Sequence, residues 1–353
     1  MSILSEQLDR LFPRRRAMSR LTRLASIERH VPVSIDRQSI DLGEYRMIIR
    51  KDGPGVGIAC NIALYSGRTR RLPAVNRSAF NRRPAAIIHV FMGTNPKIRS
   101  CHADTSDGYE SVAGIVSFCS QCPDAILVPD FDFYASKGYA AVRHLAAKSD
   151  VPWRERRDTV LWRGSSTGLG IVADGDMSPT NPDLIQRTRM CLILRHANGA
   201  DAMLINVVQT DDRARSVERL RTAGILGARI DQSAWLGHKF AIDIDGNSNA
   251  WANLFTRLLL GCCVIKVASP PGYRQWYYDD LIAWQHYVPV RSDMSDLVEK
   301  IDWCRSNTDR CEEIAAAGRR LAMAMTFESE MARGTETLNR ALRQTNRLAA
   351  GSP

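Results

Sequence analysis

Two polar segments of this chain suit phosphate chemistry, and several aspartates suit proton transfer. Asp245-Gly-Asn-Ser-Asn249 is a run of turn formers and helix-capping residues set just ahead of an amphipathic stretch. Free N–H groups at a helix N-terminus favour a phosphate, and Gly246 lets backbone approach a ligand closely. Arg163-Gly-Ser-Ser-Thr-Gly168 is the second segment. Its guanidinium matches phosphate oxygens bidentately, Gly164 permits close approach, and Ser165, Ser166 and Thr167 add hydroxyl donors. The segment lacks the Gly-Lys-[Ser/Thr] ending of a P-loop, and a surface turn is an equal reading. For proton transfer, His102, Asp104 and Asp107 lie close together, and Asp130 and Asp132 follow a predicted strand. Any of these can serve as a general base at a strand end, or simply cap a turn or helix.

Other motifs say less. Asp130-Phe-Asp132 has the Asp-x-Asp form that holds a metal in some nucleotide-sugar enzymes, but the spacing is too common to specify one, and no metal ligand is expected. Cys119-Ser-Gln-Cys122 stands without a second pair at zinc spacing and reads as structural. No Gly-x-Ser-x-Gly elbow supports a hydrolase triad. Trp284-Gln-His286-Tyr-Val-Pro-Val290 is an aromatic stretch that either stacks on a sugar or base or packs the core.

These residues need elements to position them. Residues 240–244 form a short β-type run ahead of the Asp245 turn. Trp251, Leu254, Phe255, Leu258 and Leu259 then recur on one helical face, Gly261 sits where a helix C-cap belongs, and residues 262–267 are a second buried strand. This is a βαβ unit, which aims its helix N-terminus at the carboxyl edge of a parallel sheet, where α/β proteins bind ligands. Residues 159–162 are a strand leading into Arg163, residues 184–198 a helix bearing Arg187, Arg189 and Arg195, and residues 203–208 a strand. Asp293 is the expected cap of a helix bearing Leu297, Ile301 and Cys304. Upstream, residues 85–92 read as a buried strand, residues 124–128 as another, and residues 136–145 as a helix.

The length of 353 residues suits two domains. The fold predicted is α/β with two Rossmann-like domains facing across a cleft: residues 1–150, then 151–330, with 331–353 as a last helix and tail. The nine cysteines, many inside apolar runs, read as reduced core residues. No run of about eighteen apolar residues predicts a membrane span, and the start lacks a signal-peptide pattern, so a cytoplasmic location is expected. The formal net charge of +10 favours an anionic partner. Arg14, Arg15, Arg16, Arg20 and Arg23, interleaved with Leu8, Leu11, Phe12, Met18, Leu21 and Leu24, form a basic amphipathic helix. Such a helix either lies on an anionic membrane or packs on its own domain.

Together the motifs resemble glycosyltransferase family 90, the family of bacterial lipopolysaccharide-modifying transferases, fungal capsule xylosyltransferases and animal protein O-glucosyltransferases. The matching pieces are Val128-Pro-Asp130 with Lys137-Gly-Tyr139, Leu161-Trp-Arg-Gly-Ser-Ser-Thr167, Lys239-Phe240 with Asp245-Gly-Asn-Ser-Asn249, and Trp284-Gln-His286-Tyr-Val-Pro-Val290 with Asp296-Leu297. They run in family order over roughly residues 100–325. The resemblance implies a GT-B fold and inverting transfer from a UDP-sugar without an essential metal or cofactor. It assigns the donor to Arg163, Gly164, Ser165, Ser166, Thr167, Lys239, Asp245, Gly246, Asn247, Ser248, Asn249 and His286. It places the base in the N-terminal domain, with Asp107 the match by position and Asp130 the second choice. One departure stands out: animal members tend to carry arginine where this chain has Asp245. An acid beside a diphosphate is unfavourable, so Asp245 is expected to cap the helix or hold a ribose hydroxyl.

The acceptor implied is a saccharide or glycolipid hydroxyl, of lipopolysaccharide or capsule type, at the inner face of a membrane. Two other classes compete. A nucleic-acid-binding protein is suggested by the charge, but the basic residues form no single stripe and no known module is present, so no nucleic-acid partner is expected. A catalytically idle sugar-nucleotide-binding scaffold keeps the same loops without turnover.

Overall fold

The computed structural model of the chain describes residues 31–35, 42, 45–60, 74–108, 112–149 and 151–350. The basic amphipathic segment around Arg14, and with it the membrane expectation, lies outside the described residues. In chain order the first elements are β1 (Val33–Ile35), β2 (Arg46–Asp52), β3 (Gly55–Cys60), α1 (Ala74–Met92), β4 (Ser100–Asp104), β5 (Val116–Ser117), β6 (Cys119–Ser120), β7 (Ile126–Leu127) and α2 (Phe131–Ala135). They are followed by α3 (Ala140–Lys148), β8 (Arg157–Ser165), α4 (Gln186–Leu194), β9 (Ala200–Asn206), α5 (Arg213–Thr222), β10 (His238–Asp243), α6 (Ala252–Leu259) and β11 (Cys263–Val267). The chain closes with β12 (Arg274–Gln275), β13 (Val288–Val290), α7 (Leu297–Ser306), α8 (Thr308–Ala324) and α9 (Phe327–Ala350).

Two compact units result. The first holds the chain up to Lys137 together with Arg274–Trp276 and the segment from Phe327 onward; the second holds Gly138–Tyr273 and Tyr277–Thr326. The first unit carries a six-stranded sheet in the order β1-β3-β2-β4-β5-β7. Its β3-β2-β4 part is antiparallel, and its β4-β5-β7 part is parallel. One sequence expectation fails here. Residues 85–92 are not a strand but the end of the long helix α1. Their run is apolar because Ala86, Ile87, Ile88, Val90 and Phe91 are all buried. A short unbroken apolar run has no period to separate a buried strand from a helix buried on all sides.

The second unit is the doubly wound kind the sequence predicts. Its five-stranded sheet, β13-β11-β10-β8-β9, is parallel at every pairing. Strands covered on both faces lose polar alternation, which is why β10 and β11 are buried at every position. Helix α6 stops as its sequence dictates. Gly261 adopts φ +70°, its N–H bonds Leu258 O at 2.9 Å, and the N–H of Cys262 bonds Arg257 O at 3.1 Å. This is a Schellman closure, and it turns the chain back into β11. None of the nine cysteines is in a disulfide.

Candidate active site

All five strands of the second unit run the same way, so the loops after β8, β9, β10 and β11 gather at one carboxyl edge. The loop after β10 is residues 244–251. Asp245, Ser248 and Asn249 in it are buried, with 6%, 2% and 2% exposure, while Gly246 and Asn247 are partly open. Both carboxylate oxygens of Asp245, the Ser248 hydroxyl and the Asn249 side-chain amide nitrogen find no hydrogen-bond partner. Buried polar atoms are nearly always paired, so four orphans in one loop are exceptional. The loop is also strained. Trp251, the residue entering α6, sits at φ 48° and ψ −120°, a region that a bulky side chain rarely occupies.

The loop after β8 meets this one directly. A Cβ on Gly246 would lie 2.6 Å from Thr167 Oγ1, so a larger residue there has to displace the Thr167 side chain, which Arg187 holds. Arg187, from α4, pins them together. It donates from Nε to Asp245 O at 2.9 Å, from Nη1 to Thr167 Oγ1 at 2.7 Å and Ser165 O at 3.1 Å, and from Nη2 to Ile244 O at 3.1 Å. Burial pulls the Arg187 pKa down to about 10, with Asp243 and Asp245 pulling the other way, so the group stays a cation. Ser166 is a fixed post: its hydroxyl donates to Val208 O at 2.7 Å and accepts from Val208 N at 2.8 Å.

Beneath the loop is a buried ion pair. Lys266 Nζ lies 3.0 Å from Asp243 Oδ2, and Asn253 Nδ2 donates to Asp243 Oδ1 at 2.9 Å. Burial works against the Lys266 charge, but Asp243 and Asp245 more than offset it and hold its pKa above the ordinary amine value. Asp245 has no such partner. Burial pushes its carboxyl up to about 6, against the pull of Lys266, Ser269 and Arg187, while Asp243 adds to the rise. The Ser269 hydroxyl thus favours the ionised form without reaching hydrogen-bond geometry with either oxygen.

Of the expected donor residues, the structure brings together Ser165, Ser166 and Thr167 with Asp245, Gly246, Asn247, Ser248 and Asn249. It does not bring the others there. Arg163 turns to the neighbouring strand: Nη2 lies 2.7 Å from Asp201 Oδ2 and Nη1 2.9 Å from Asp201 O. Gly164 makes room for Trp162, whose ring would lie 2.4 Å from an added Cβ. Lys239 and His286 stand at the amino end of the sheet, at the start of β10 and just before β13. Lys239 Nζ pairs there with Asp158 Oδ1 at 2.6 Å, and His286 Nδ1 accepts from Ile282 N at 3.0 Å, which puts the neutral ring's proton on Nε2. Burial, then Arg320, lowers the His286 pKa. An open cleft of about 420 Å³ in the second unit, lined by Trp153, Arg156, Arg319 and Arg320 among others, contains none of the expected donor residues. Sequence reasoning missed the bolt that joins the loops. Arg187 lies 20 residues from Thr167 and 58 from Asp245, and no local pattern marks it.

In the first unit the two candidate bases differ. Asp130 is fully buried and caps α2: Oδ1 accepts from Phe133 N at 2.8 Å and Oδ2 from Gln275 Nε2 at 2.9 Å. Burial, with Asp132 adding, pushes its carboxyl up to about 7 against the Phe133 and Asp132 amides and Arg83. Asp107 follows β4, and its side chain is 20% exposed. Arg83 orients it, with Nη2 2.6 Å from Oδ1, while Nη1 donates to Thr105 O at 2.7 Å. Cys119 and Cys122 form no disulfide with each other, and among the described residues the three soft ligands that gather are Cys263, Cys304 and Cys311, with sulfurs within 4.8 Å of one another in the second unit's core.

The model of the family described as "Glycosyl transferase family 90" matches residues 88–329. Human protein O-glucosyltransferase 3 is 35% identical over 235 residues, covering 56% of this chain and 43% of its own length. Protein 179R of Invertebrate iridescent virus 6 is 30% identical over 179 residues, covering 47% of this chain and 15% of its own length. The chain thus spans less than half the length of these curated relatives. Among solved structures, Anabaena Alr3699/HepE in complex with UDP-glucose aligns at 12% identity over 61% of this chain and 54% of that one, with a TM-score of 0.33. The matched span covers the β8 and β10 loops, the Arg187 helix and Asp107, and on that family match the chain belongs to glycosyl transferase family 90.

Proposed function

We propose that this chain is an inverting glycosyltransferase that moves a hexose or pentose from a UDP-sugar to a hydroxyl of a glycan or lipid-linked saccharide, of lipopolysaccharide or capsule type. The observation that carries the reading is the set of four orphaned buried polar atoms in the loop 245–249, at the carboxyl edge of a parallel sheet and the N-terminus of α6. A donor needs that place filled by a ligand with both anionic oxygens and hydroxyls. The α6 N-terminus, the Asn249 amide, the Ser248 hydroxyl and the hydroxyls of Ser165 and Thr167 suit the diphosphate, and the Arg187 cation lies behind both loops. These groups stabilise a leaving diphosphate without Mg²⁺, and the chain works without a metal or cofactor. Asp107 is the base. It removes the proton of the acceptor hydroxyl, which attacks the anomeric carbon opposite the nucleotide in one displacement. Arg83 holds it in place, and a partly exposed carboxylate suits this task better than the buried cap Asp130. The relatives named protein O-glucosyltransferase favour glucose as one donor sugar to try. On this reading the reaction takes place at the cytoplasmic face of a membrane. Separately, no described helix is long and apolar enough to cross one.

The test is thermal stability against a panel of nucleotides and nucleotide-sugars, with and without EDTA. Stabilisation follows ligand concentration over dissociation constant, so binding is visible without the acceptor. A rise with UDP or one UDP-sugar, unchanged by EDTA, supports the reading. No rise with any nucleotide removes it.

A further inference from the structure

We infer that Asp245 forms a hydroxyl-binding subsite within the candidate donor loop: its carboxylate accepts hydrogen bonds from a vicinal diol of a phosphorylated ligand, and so makes binding depend on that diol. The inference rests on the donor-site reading above and goes beyond it, because it assigns a ligand group to one side chain.

The argument is one of matching unmet needs. An ionised carboxylate is an acceptor only, with two oxygens to satisfy. Both Asp245 oxygens are buried and without a partner. The nearby cations do not meet that need. Lys266 hydrogen-bonds to Asp243, and the Arg187 hydrogen bonds go to backbone oxygens and to Thr167. A phosphate cannot meet it either, since two anions in a buried pocket repel. What remains is a neutral donor. Ser269 is one, but its hydroxyl accepts from Tyr273 N at 2.9 Å and reaches hydrogen-bond geometry with neither Asp245 oxygen. Two oxygens side by side match two adjacent hydroxyls. The other orphans ask for the opposite. Asn249 Nδ2 is a donor only, and Ser248 Oγ can donate. Acceptors at one end of a five-residue loop and donors at the other complement a phosphate ester of a polyol. Burial, with Asp243 adding, holds the Asp245 carboxyl up at about 6, so the chain keeps an acid where a neutral residue would be more stable. That is the pattern of a residue retained for a ligand.

Such a diol comes either from the ribose of the nucleotide or from the transferred sugar, and titration calorimetry separates them. The probes are UDP, 2′-deoxy-UDP and UDP-glucose, each against the wild type and Asp245→Asn. A ribose source predicts that the wild type prefers UDP over 2′-deoxy-UDP by roughly ten- to a hundredfold, the worth of a hydrogen bond to a charged group, and that Asp245→Asn brings this ratio near one. A sugar source predicts that both proteins treat UDP and 2′-deoxy-UDP alike, while Asp245→Asn loses the same factor in UDP-glucose affinity relative to UDP. Either result supports the subsite. If UDP binds but Asp245→Asn leaves both ratios unchanged, the subsite is refuted and the donor site stands. If the wild type binds none of the three, the donor site fails first and takes the subsite with it. The wild-type 2′-deoxy-UDP ratio and the wild-type gain of UDP-glucose over UDP need no variant. Should Asp245→Asn not fold, the absence of both discriminations in the wild type refutes the subsite.

Discussion

Removing the Asp245 charge makes the ligand-free protein more stable at neutral pH and not at acid pH. In the folded chain burial raises this carboxyl from its ordinary 3.8 to about 6. A raised acid favours the protonated form, so the folded state binds the proton more tightly than the unfolded state. The group therefore destabilises the fold above about pH 6, and stability is regained as pH falls from 6 towards 3.8. At about 1.4 kcal/mol for each tenfold in proton affinity, the penalty is about 3 kcal/mol near pH 7.5. Asparagine removes the charge but leaves an unpaired amide, which costs roughly 1 kcal/mol or more. The net gain for Asp245→Asn is then about 2 kcal/mol near pH 7.5, and at about pH 4.5 it vanishes or reverses. Asp130, also raised, titrates in both proteins and cancels from the difference. The assay is urea unfolding followed by tryptophan fluorescence at the two pH values, without ligand. A variant less stable at neutral pH, or a difference that does not change with pH, refutes the picture of a buried, unpaired carboxylate in the loop.

The remaining predictions concern the base, the bolt and the ion pair. Asp107→Asn lowers turnover about 10²- to 10⁴-fold while UDP still binds, whereas Asp130→Asn keeps the α2 cap and stays within a few-fold of wild type; UDP release with donor and acceptor present reads both. Arg187→Ala removes four hydrogen bonds joining two loops, and weakens UDP binding at least tenfold with a loss of about 2–4 kcal/mol of stability; Arg187→Lys does not restore binding, because one ammonium cannot span those acceptors. Lys266→Met leaves the Asp243 carboxylate buried without its counter-ion and costs about 3–5 kcal/mol, measured by urea unfolding; Asp243→Asn in the same chain recovers part of it.

The second unit was largely legible in the sequence. Its helix α6 announced itself by the Trp251-to-Leu259 period and by Gly261, and its β10 loop by a density of polar turn formers that a cap alone does not require. Those are local signals, and local signals survive folding. Helix α1 was not legible, because six of residues 85–92 are buried, including the consecutive Ala85 to Ile88, and burial on adjacent faces erases the period. The site was legible in its loops and not in its supports. Lys239 sits in the same motif as Asp245, but β10 runs between them, about 3.3 Å per residue, and carries them to opposite ends of the sheet. Arg163 immediately precedes the phosphate-suited turn, yet Asp201 on the adjacent strand claims its guanidinium. Arg187 takes the expected place of the cation through tertiary packing that no spacing rule encodes.

The central claim is that the touching loops after β8 and β10 hold a nucleoside diphosphate. Its most direct test is calorimetric titration of UDP, with EDTA present, into the wild type and Gly246→Ala, whose added Cβ would lie 2.6 Å from Thr167 Oγ1 and displace the Thr167 hydroxyl and the Arg187 guanidinium from their places between the loops. The account predicts one UDP per chain for the wild type and at least a tenfold weaker affinity for a folded Gly246→Ala. Equal binding by the two proteins, or none by the wild type, contradicts it.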